Sequence, residues 1–257
     1  MDVSGRRLER LDVGGGRVID MSGAMRLMLP PVQQGYADAQ LDDYRRLGRS
    51  RFPWRPPLHL QLRARASHAA PTGTLGFGFW NDPFSFSLGQ GATAGRLPAS
   101  PAAIWFFYGS PPHDLAFLDD VPGFGWKAAC LRSRPIPSPL LALGAPLALL
   151  LSRLPWTRGA AVRTARRLFR AQEAVLPDEL EAWHTYEITW HACEASFSVD
   201  GRIVLLAPDP PPGPLGFVAW IDNQFAVLSP ARGIRFGVLP CAEAQWMEIA
   251  DLEIRAL

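Results

Sequence analysis

The chain has 257 residues, 48% hydrophobic and 19% charged, with 25 Pro, 23 Gly and 9 Trp. That length fits one large all-β or α/β domain, or two small ones, and buries a full core. Low charge and abundant aromatic residues exclude a disordered chain, and the absence of a repeat or heptad excludes collagen-like and coiled-coil architectures.

The formal net charge of +2 hides an uneven distribution. No acid occurs between Asp120 and Glu173, whereas Lys127, Arg132, Arg134, Arg153, Arg158, Arg163, Arg166, Arg167 and Arg170 all lie there, so the rest of the chain is net acidic. A basic segment on an acidic body points to a membrane surface or a polyanion for that segment alone. Cys130, Cys193 and Cys241 are scattered and odd in number, which supports neither a zinc knuckle nor a disulfide framework. The first twenty residues lack the apolar core of a signal peptide, and the expectation is a cytoplasmic protein with reduced thiols.

In chain order, Leu58, Leu60, Leu62, Ala64 and Ala66 alternate with polar residues, as in a strand with one apolar face. Leu75, Phe77 and Phe79 alternate with Gly76, Gly78 and Trp80. Ile104, Phe106 and Tyr108 alternate with Trp105 and Phe107. Between about 137 and 175 this rhythm breaks. Pro139–Leu151 is apolar throughout but too short to span a bilayer. Beyond it, Ala161, Ala165, Leu168, Phe169 and Gln172 share one helical face opposite Arg163, Arg166, Arg167 and Arg170. A helical hairpin inserted into a β sandwich is expected there. Strands resume with Tyr186, Ile188 and Trp190, then Phe197 and Val199, with Asp200-Gly201 as a hairpin turn into Ile203–Leu206. The last strands are Gly216–Ile221, Gly233–Val238 and Trp246–Ile254. Proline clusters at Pro53–Pro57 and Pro208–Pro214 mark loops or edges.

The stretch Trp183-His184-Thr185-Tyr186-Glu187-Ile188-Thr189-Trp190, followed by Phe197-Ser198-Val199-Asp200-Gly201, resembles the laminarinase, lichenase and xyloglucanase family of retaining glycoside hydrolases, which pairs an H-x-Y-x-x-x-W strand with one ending in V-D-G. Tyr36–Gln40, Leu58–Arg65 and Gly73–Trp80 look like that family's strands leading to its active site, and Trp246–Ile254 like its last strand. The resemblance covers about residues 30–128 and 180–257. It implies an all-β, concanavalin-like jelly roll: two antiparallel sheets, one concave and carrying a cleft, in a single domain over 1–257 with the insertion at about 137–175. The family's catalysis rests on an E-x-D-x-(x)-E strand that sets a nucleophile and a general acid on one face. The strand expected at that place, Ala103–Gly109, contains no carboxylate.

The candidate site rests on two echoing patterns, Trp80-Asn81-Asp82-Pro83-Phe84 and Trp220-Ile221-Asp222-Asn223-Gln224-Phe225, each placing Trp and Asp two residues apart on one face. Gly76 and Gly78 leave room for a ligand before Trp80. The expected ligand-binding residues are Trp80, Asp82, Trp105, Tyr108, Trp220, Asp222 and Asn223, with Trp80, Asp82, Trp220, Asp222 and Asn223 converging on the concave sheet. Asp82, Asp222 and His113 are the candidate catalytic groups. The plainer alternative makes both Trp core residues and both Asp turn caps. His113-Asp114, Asp119-Asp120 and Asp42-Asp43 read equally as solvated loop or cap residues. Gly14-Gly15-Gly16 lacks the strand–loop–helix setting of a dinucleotide site. No metal spacing and no cofactor motif is present, and the basic helix does not suit nucleic acid.

Three classes of function fit: a lectin-like module binding a glycan or apolar small molecule without glycosidase chemistry, an enzyme acting on a hydrophobic small molecule in the same cleft, or a protein docking a membrane or partner through residues 139–172. The apolar run must cover something: the cleft as a lid, a lipid surface, or a second subunit in a homo-oligomer.

Overall fold

Alternation over Leu58–Ala66 sends Leu58, Leu60, Leu62, Ala64 and Ala66 inward and leaves His59, Gln61, Arg63 and Arg65 on the other face. The same rule builds a set of strands that stack as two sheets. A computed structural model describes residues 2–3, 5–83, 96–115, 117–118 and 120–257. Its elements are β1 (Asp2–Val3), β2 (Arg6–Arg7), β3 (Glu9–Val13), β4 (Arg17–Met21), β5 (Ala24–Leu29), β6 (Asp38–Asp42), β7 (Leu58–Ala66), β8 (Thr74–Trp80), β9 (Ala102–Gly109) and β10 (Gly125–Ser133). Two helices follow, α1 (Ser138–Arg153) and α2 (Pro155–Arg166). Then come β11 (Phe169–Val175), β12 (His184–Trp190), β13 (Glu194–Val199), β14 (Arg202–Pro208), β15 (Gly216–Asp222), β16 (Gln224–Ser229), β17 (Gly233–Val238) and β18 (Gln245–Ala256).

The front sheet has seven strands in the order β11-β10-β9-β8-β15-β6-β3, and the back sheet seven in the order β14-β13-β12-β7-β18-β5-β4, all antiparallel. This is the concanavalin-like jelly-roll sandwich with a helical insertion. Aromatic residues knit the sheets face to face. Phe77 of the front meets Tyr186 of the back at 5.1 Å between ring centroids, Phe106 meets Phe197 at 5.5 Å, and Phe79 meets Trp190 at 5.8 Å. The Asp200-Gly201 turn has positive φ at both residues (50° and 75°), the geometry a two-residue hairpin needs between right-twisted strands.

The insertion differs from expectation at its end. The helical pair stops at Arg166, and Phe169–Val175 pairs with β10 as an edge strand. The helical face read through Leu168, Phe169 and Gln172 gives way because the unpaired edge of β10 offers seven residues of ladder hydrogen bonding. That pairing also encloses a charge pair. Lys127 on β10 and Glu173 on β11, with side chains 1% and 3% exposed, meet at 2.9 Å. Lys127 Nζ also donates to Leu115 O and Pro122 O, and Glu173 Oε2 accepts from Phe117 N, so the pair holds the loop after β9. Removing one partner of a buried pair leaves the other charge uncompensated. Lys127→Met is therefore expected to cost about 3 kcal/mol of stability, read as a lowered midpoint in urea unfolding.

Candidate functional site

The outer face of the front sheet carries a second aromatic layer, separate from the core between the sheets. Register aligns Trp105 with Gly78, and Phe107 with Gly76 and, one strand further, Trp220. A Cβ on Gly76 would lie 2.8 Å from the Trp220 ring, one on Gly78 would lie 2.8 Å from Trp105 Cβ, one on Gly109 would strike the His113 ring at 2.7 Å, and one on Gly216 would strike the Tyr44 ring at 2.2 Å. Gly76, Gly109 and Gly216 therefore make room for rings of this chain, and Gly78 for the neighbouring β9 backbone, rather than for a ligand directly. Ring centroids run Trp80 to Trp105 at 5.9 Å, Trp105 to Trp220 at 5.3 Å, Trp105 to Phe107 at 5.5 Å and Phe107 to His113 at 5.1 Å. Phe107 and Trp220 are buried, while Trp80 and Trp105 are half-buried, so the layer presents these two indoles to its surroundings.

One end of the layer is closed by Tyr44, Phe52 and Arg96. Trp80 Nε1 donates to the Tyr44 hydroxyl at 2.5 Å, and the Arg96 guanidinium lies over both Tyr44 and Phe52 while pairing with Asp82 at 3.0 Å. The other end is acidic. Thr74, Asp222 and Asp38 lie side by side on three adjacent strands. Trp220 Nε1 donates to Thr74 Oγ1 at 3.0 Å, and Thr74 Oγ1 donates to Asp222 Oδ1 at 2.7 Å. Burial pushes the Asp222 carboxyl up to about 6. Burial, together with the charge of Asp222, holds Asp38 well above the ordinary carboxylate range. Asp38 Oδ1 is buried without a hydrogen-bond partner among the described residues. Two carboxyls with raised proton affinity thus lie on neighbouring strands beside Trp220. Nothing in the local sequence marks Asp38: its partnership is a matter of register, and Tyr-Ala-Asp-Ala-Gln reads as an ordinary strand.

No family model and no curated protein matches this sequence. Among solved structures the chain is similar to Bacillus licheniformis β-glucanase, at 11% identity over 97% of this chain and 92% of that one, with a TM-score of 0.49. It is similar to a Bacteroides ovatus mixed linkage glucan PUL GH16 protein in complex with G4G4G3G product, at 11% identity over 96% and 86% of the two chains, TM-score 0.49. A sialidase matches at 10% identity over 97% of this chain, TM-score 0.44, and this chain spans only 17% of its length.

Trp80, Trp105 and Trp220 come together, but the two aspartates beside them do not. Because β8 and β15 run antiparallel, Trp80 pairs with Gly216 and Asp222 with Thr74, which sends Asp82 and Asp222 to opposite ends of the ring layer. Asp82, at φ 45°, lies in the turn after β8, bound to Arg96. Asn223 is a structural bridge: its Oδ1 accepts from Ala37 N at 2.9 Å, and its Nδ2 donates to Gly35 O and Leu239 O. Tyr108 faces the opposite way, into the core between the sheets. His113 is 2% exposed, with Nδ1 accepting from Ala226 N at 3.2 Å and Nε2 buried without a partner among the described residues. Phe84 and Asp119 lie outside the described residues. Among the described residues, no group of three or more His, Cys, Asp or Glu could hold a metal ion.

Two predictions follow from this geometry. Gly78→Ala would bring its methyl carbon within 2.4 Å of Ile104 O. It should cost roughly 2 kcal/mol or more and shift tryptophan emission as Trp105 moves, both visible in one denaturation series. The second concerns acid. Burial, reinforced by the charge of Lys127, lowers His113 to about 4 from 6.5, so the folded state binds its proton less readily than the unfolded chain. The stability tied to neutral His113 is complete above pH 6.5 and is lost as pH falls towards about 4. Asp222, raised from 3.8 to about 6, acts in the opposite sense: its burial penalty is relieved as pH falls through about 6. Stability measured against pH should therefore lose an acid-destabilising component of about 3 kcal/mol in His113→Gln, and an acid-stabilising one in Asp222→Asn. Unchanged pH slopes in both variants would contradict these environments.

Proposed function

We propose that the chain is a binding module of the jelly-roll class whose outer front face takes a carbohydrate or a flat apolar molecule against Trp80 and Trp105, without retaining-glycosidase chemistry on β9. The observation that carries this reading is a central strand, β9, that bears rings and no carboxylate. On the outer face β9 presents Ala103, Trp105 and Phe107, and the two indoles at 5.9 Å form a stacking surface rather than a cleaving one. A pyranose ring offers C–H faces that stack on indole, and its hydroxyls would meet Gln40, half-buried one strand beyond Trp220.

A second reading is favoured by one specific feature, the carboxyl pair. Asp222, with its proton affinity near neutrality, would act as general acid or base on a molecule lying along the layer, and Asp38, kept neutral by burial, would donate a hydrogen bond.

The test separates them. Laminarin, lichenan and xyloglucan fragments, and a panel of aromatic small molecules, are titrated by calorimetry while released reducing sugar is followed. The binding reading expects saturable binding weakened roughly tenfold by Trp105→Ala or Trp80→Ala, unchanged in Asp222→Asn, with no sugar released. Turnover of any probe that vanishes in Asp222→Asn while binding persists would establish the second reading instead. Rapid cleavage of a glucan would overturn the first.

A further inference from the structure

The α1–α2 hairpin packs on β16 and β17. It is seated through Ser152, whose Oγ accepts from Ile234 N at 3.2 Å and donates to Leu149 O at 2.7 Å. At 3.6 residues per turn, Leu140, Leu143, Leu147 and Leu150 fall within an arc of about 80° on the side roughly opposite Ser152. These four side chains are 61%, 76%, 55% and 58% exposed, and Trp156, which opens α2, is 79% exposed. An isolated exposed leucine is ordinary, but four in one stripe beside an exposed indole form a contiguous apolar surface.

A second, independent feature adjoins it. Between the hairpin and β17 lies a groove of about 510 Å³ whose lining includes Arg153, Arg158, Arg232 and Arg235. Arg158 is fixed by carbonyls, donating to Ala231 O at 3.1 Å, and Arg232 pairs with Asp114 at 2.5 Å. Arg153 and Arg235 have no ion pair among the described residues, and neither do Arg134, Arg163 and Arg167 nearby in the chain. Arg153 lies at the margin between the leucine stripe and the seated side, so groove and stripe share an edge. Among the described residues no helix is long and apolar enough to cross a membrane. An apolar face with an interfacial indole, bordered by arginines and free of acids along the whole hairpin, suits a helix lying in the plane of a bilayer surface.

We propose that the α1–α2 hairpin docks this chain on an anionic lipid bilayer, with Leu140, Leu143, Leu147, Leu150 and Trp156 entering the interfacial region and the arginine groove holding lipid phosphate. Charge complementarity selects this occupant. A second copy of the chain would bring the same basic hairpin against itself, whereas an anionic surface meets both the arginines and the leucines at once.

The experiment is flotation of the full chain with phosphatidylcholine vesicles, with and without phosphatidylserine, at low and high salt. The expected result is binding that needs phosphatidylserine and is released by salt. It should weaken at least roughly tenfold in Arg153→Ala/Arg235→Ala, and again in Leu143→Glu/Leu147→Glu. Thermal melting should be unchanged, since all four replaced side chains are exposed. Trp156→Phe should remove a blue shift of emission that the parent shows on vesicles. No binding to phosphatidylserine vesicles, or binding indifferent to both double variants, would overturn the proposal. So would a dimer in sedimentation that Leu143→Glu/Leu147→Glu dissolves while vesicles are ignored, or inorganic phosphate binding in the groove without vesicle binding.

Discussion

Three glycines on the outer face of the front sheet, Gly76, Gly109 and Gly216, are each roofed by a ring, that of Trp220, His113 and Tyr44, and a fourth, Gly78, lies against the β9 backbone and the Cβ of Trp105. This close approach of ring to backbone is the constraint on which the site depends. With any larger residue at those positions the rings would stand off the sheet and the layer would lose its packing. It also explains why β8 and β15 are buried along nearly their whole length, an unusual state for antiparallel strands, which normally keep one face in water. The front sheet has a core on each side, one shared with the back sheet and one made from its own aromatic residues.

That double burial limits what could be read from residues alone. Alternation identified strands where one face is polar, as in β7 and β12, and Asp200-Gly201 marked its hairpin. In β9 both faces are apolar, so Ile104, Phe106 and Tyr108 could not be told from Trp105 and Phe107 as inner or outer. Pairing with β8 and β10 decides it, and sends Tyr108 to the core. The tryptophans of the site were legible as a class because an indole beside small residues is a packing anomaly in a strand. Their companions were not. Asp38, Thr74 and Asp222 meet only through cross-strand register, and Tyr44 and Phe52 reach the layer from a segment with no periodicity. Asn223, legible as polar beside a candidate site, serves the backbone of two loops, at Gly35 and Ala37 and at Leu239. The helical reading of Phe169–Val175 failed for the same reason as the inner and outer faces of β9: strand pairing is long-range information that a local pattern does not carry.

Several buried charges of the sandwich each meet a counterpart. Lys127 has Glu173, Asp82 has Arg96, and Glu248 lies between Arg26 and Arg65 on the back sheet. Desolvation without a full complement of partners instead shifts proton affinity, upward at Asp38 and Asp222 and downward at His113. Asp38, Asp222 and His113 lie at the same end of the ring layer: Asp38 and Asp222 in register with Thr74 and Gly109, and His113 over Gly109 itself. The buried polar groups and the half-exposed indoles therefore occupy adjoining parts of one face, with Trp220 between them.

The same end of the layer is where the insertion is anchored. Asp222 Oδ1, which accepts from Thr74, also accepts from Gln224 N at 3.0 Å, and Gln224 is the first residue of β16. His113 Nδ1 accepts from Ala226 N two residues further along, and Asp114 N donates to Ala226 O. The β16–β17 hairpin on which α1 and α2 rest is thus tied to the sheet by two side chains with shifted proton affinity. A surface loop held only by backbone pairing would leave the helices free to reorient. Two buried side-chain acceptors, Asp222 and His113, thus sit at the root of the hairpin that carries the helices. The buried polar end of the layer therefore joins the ring layer to the element that bears the basic, leucine-rich face.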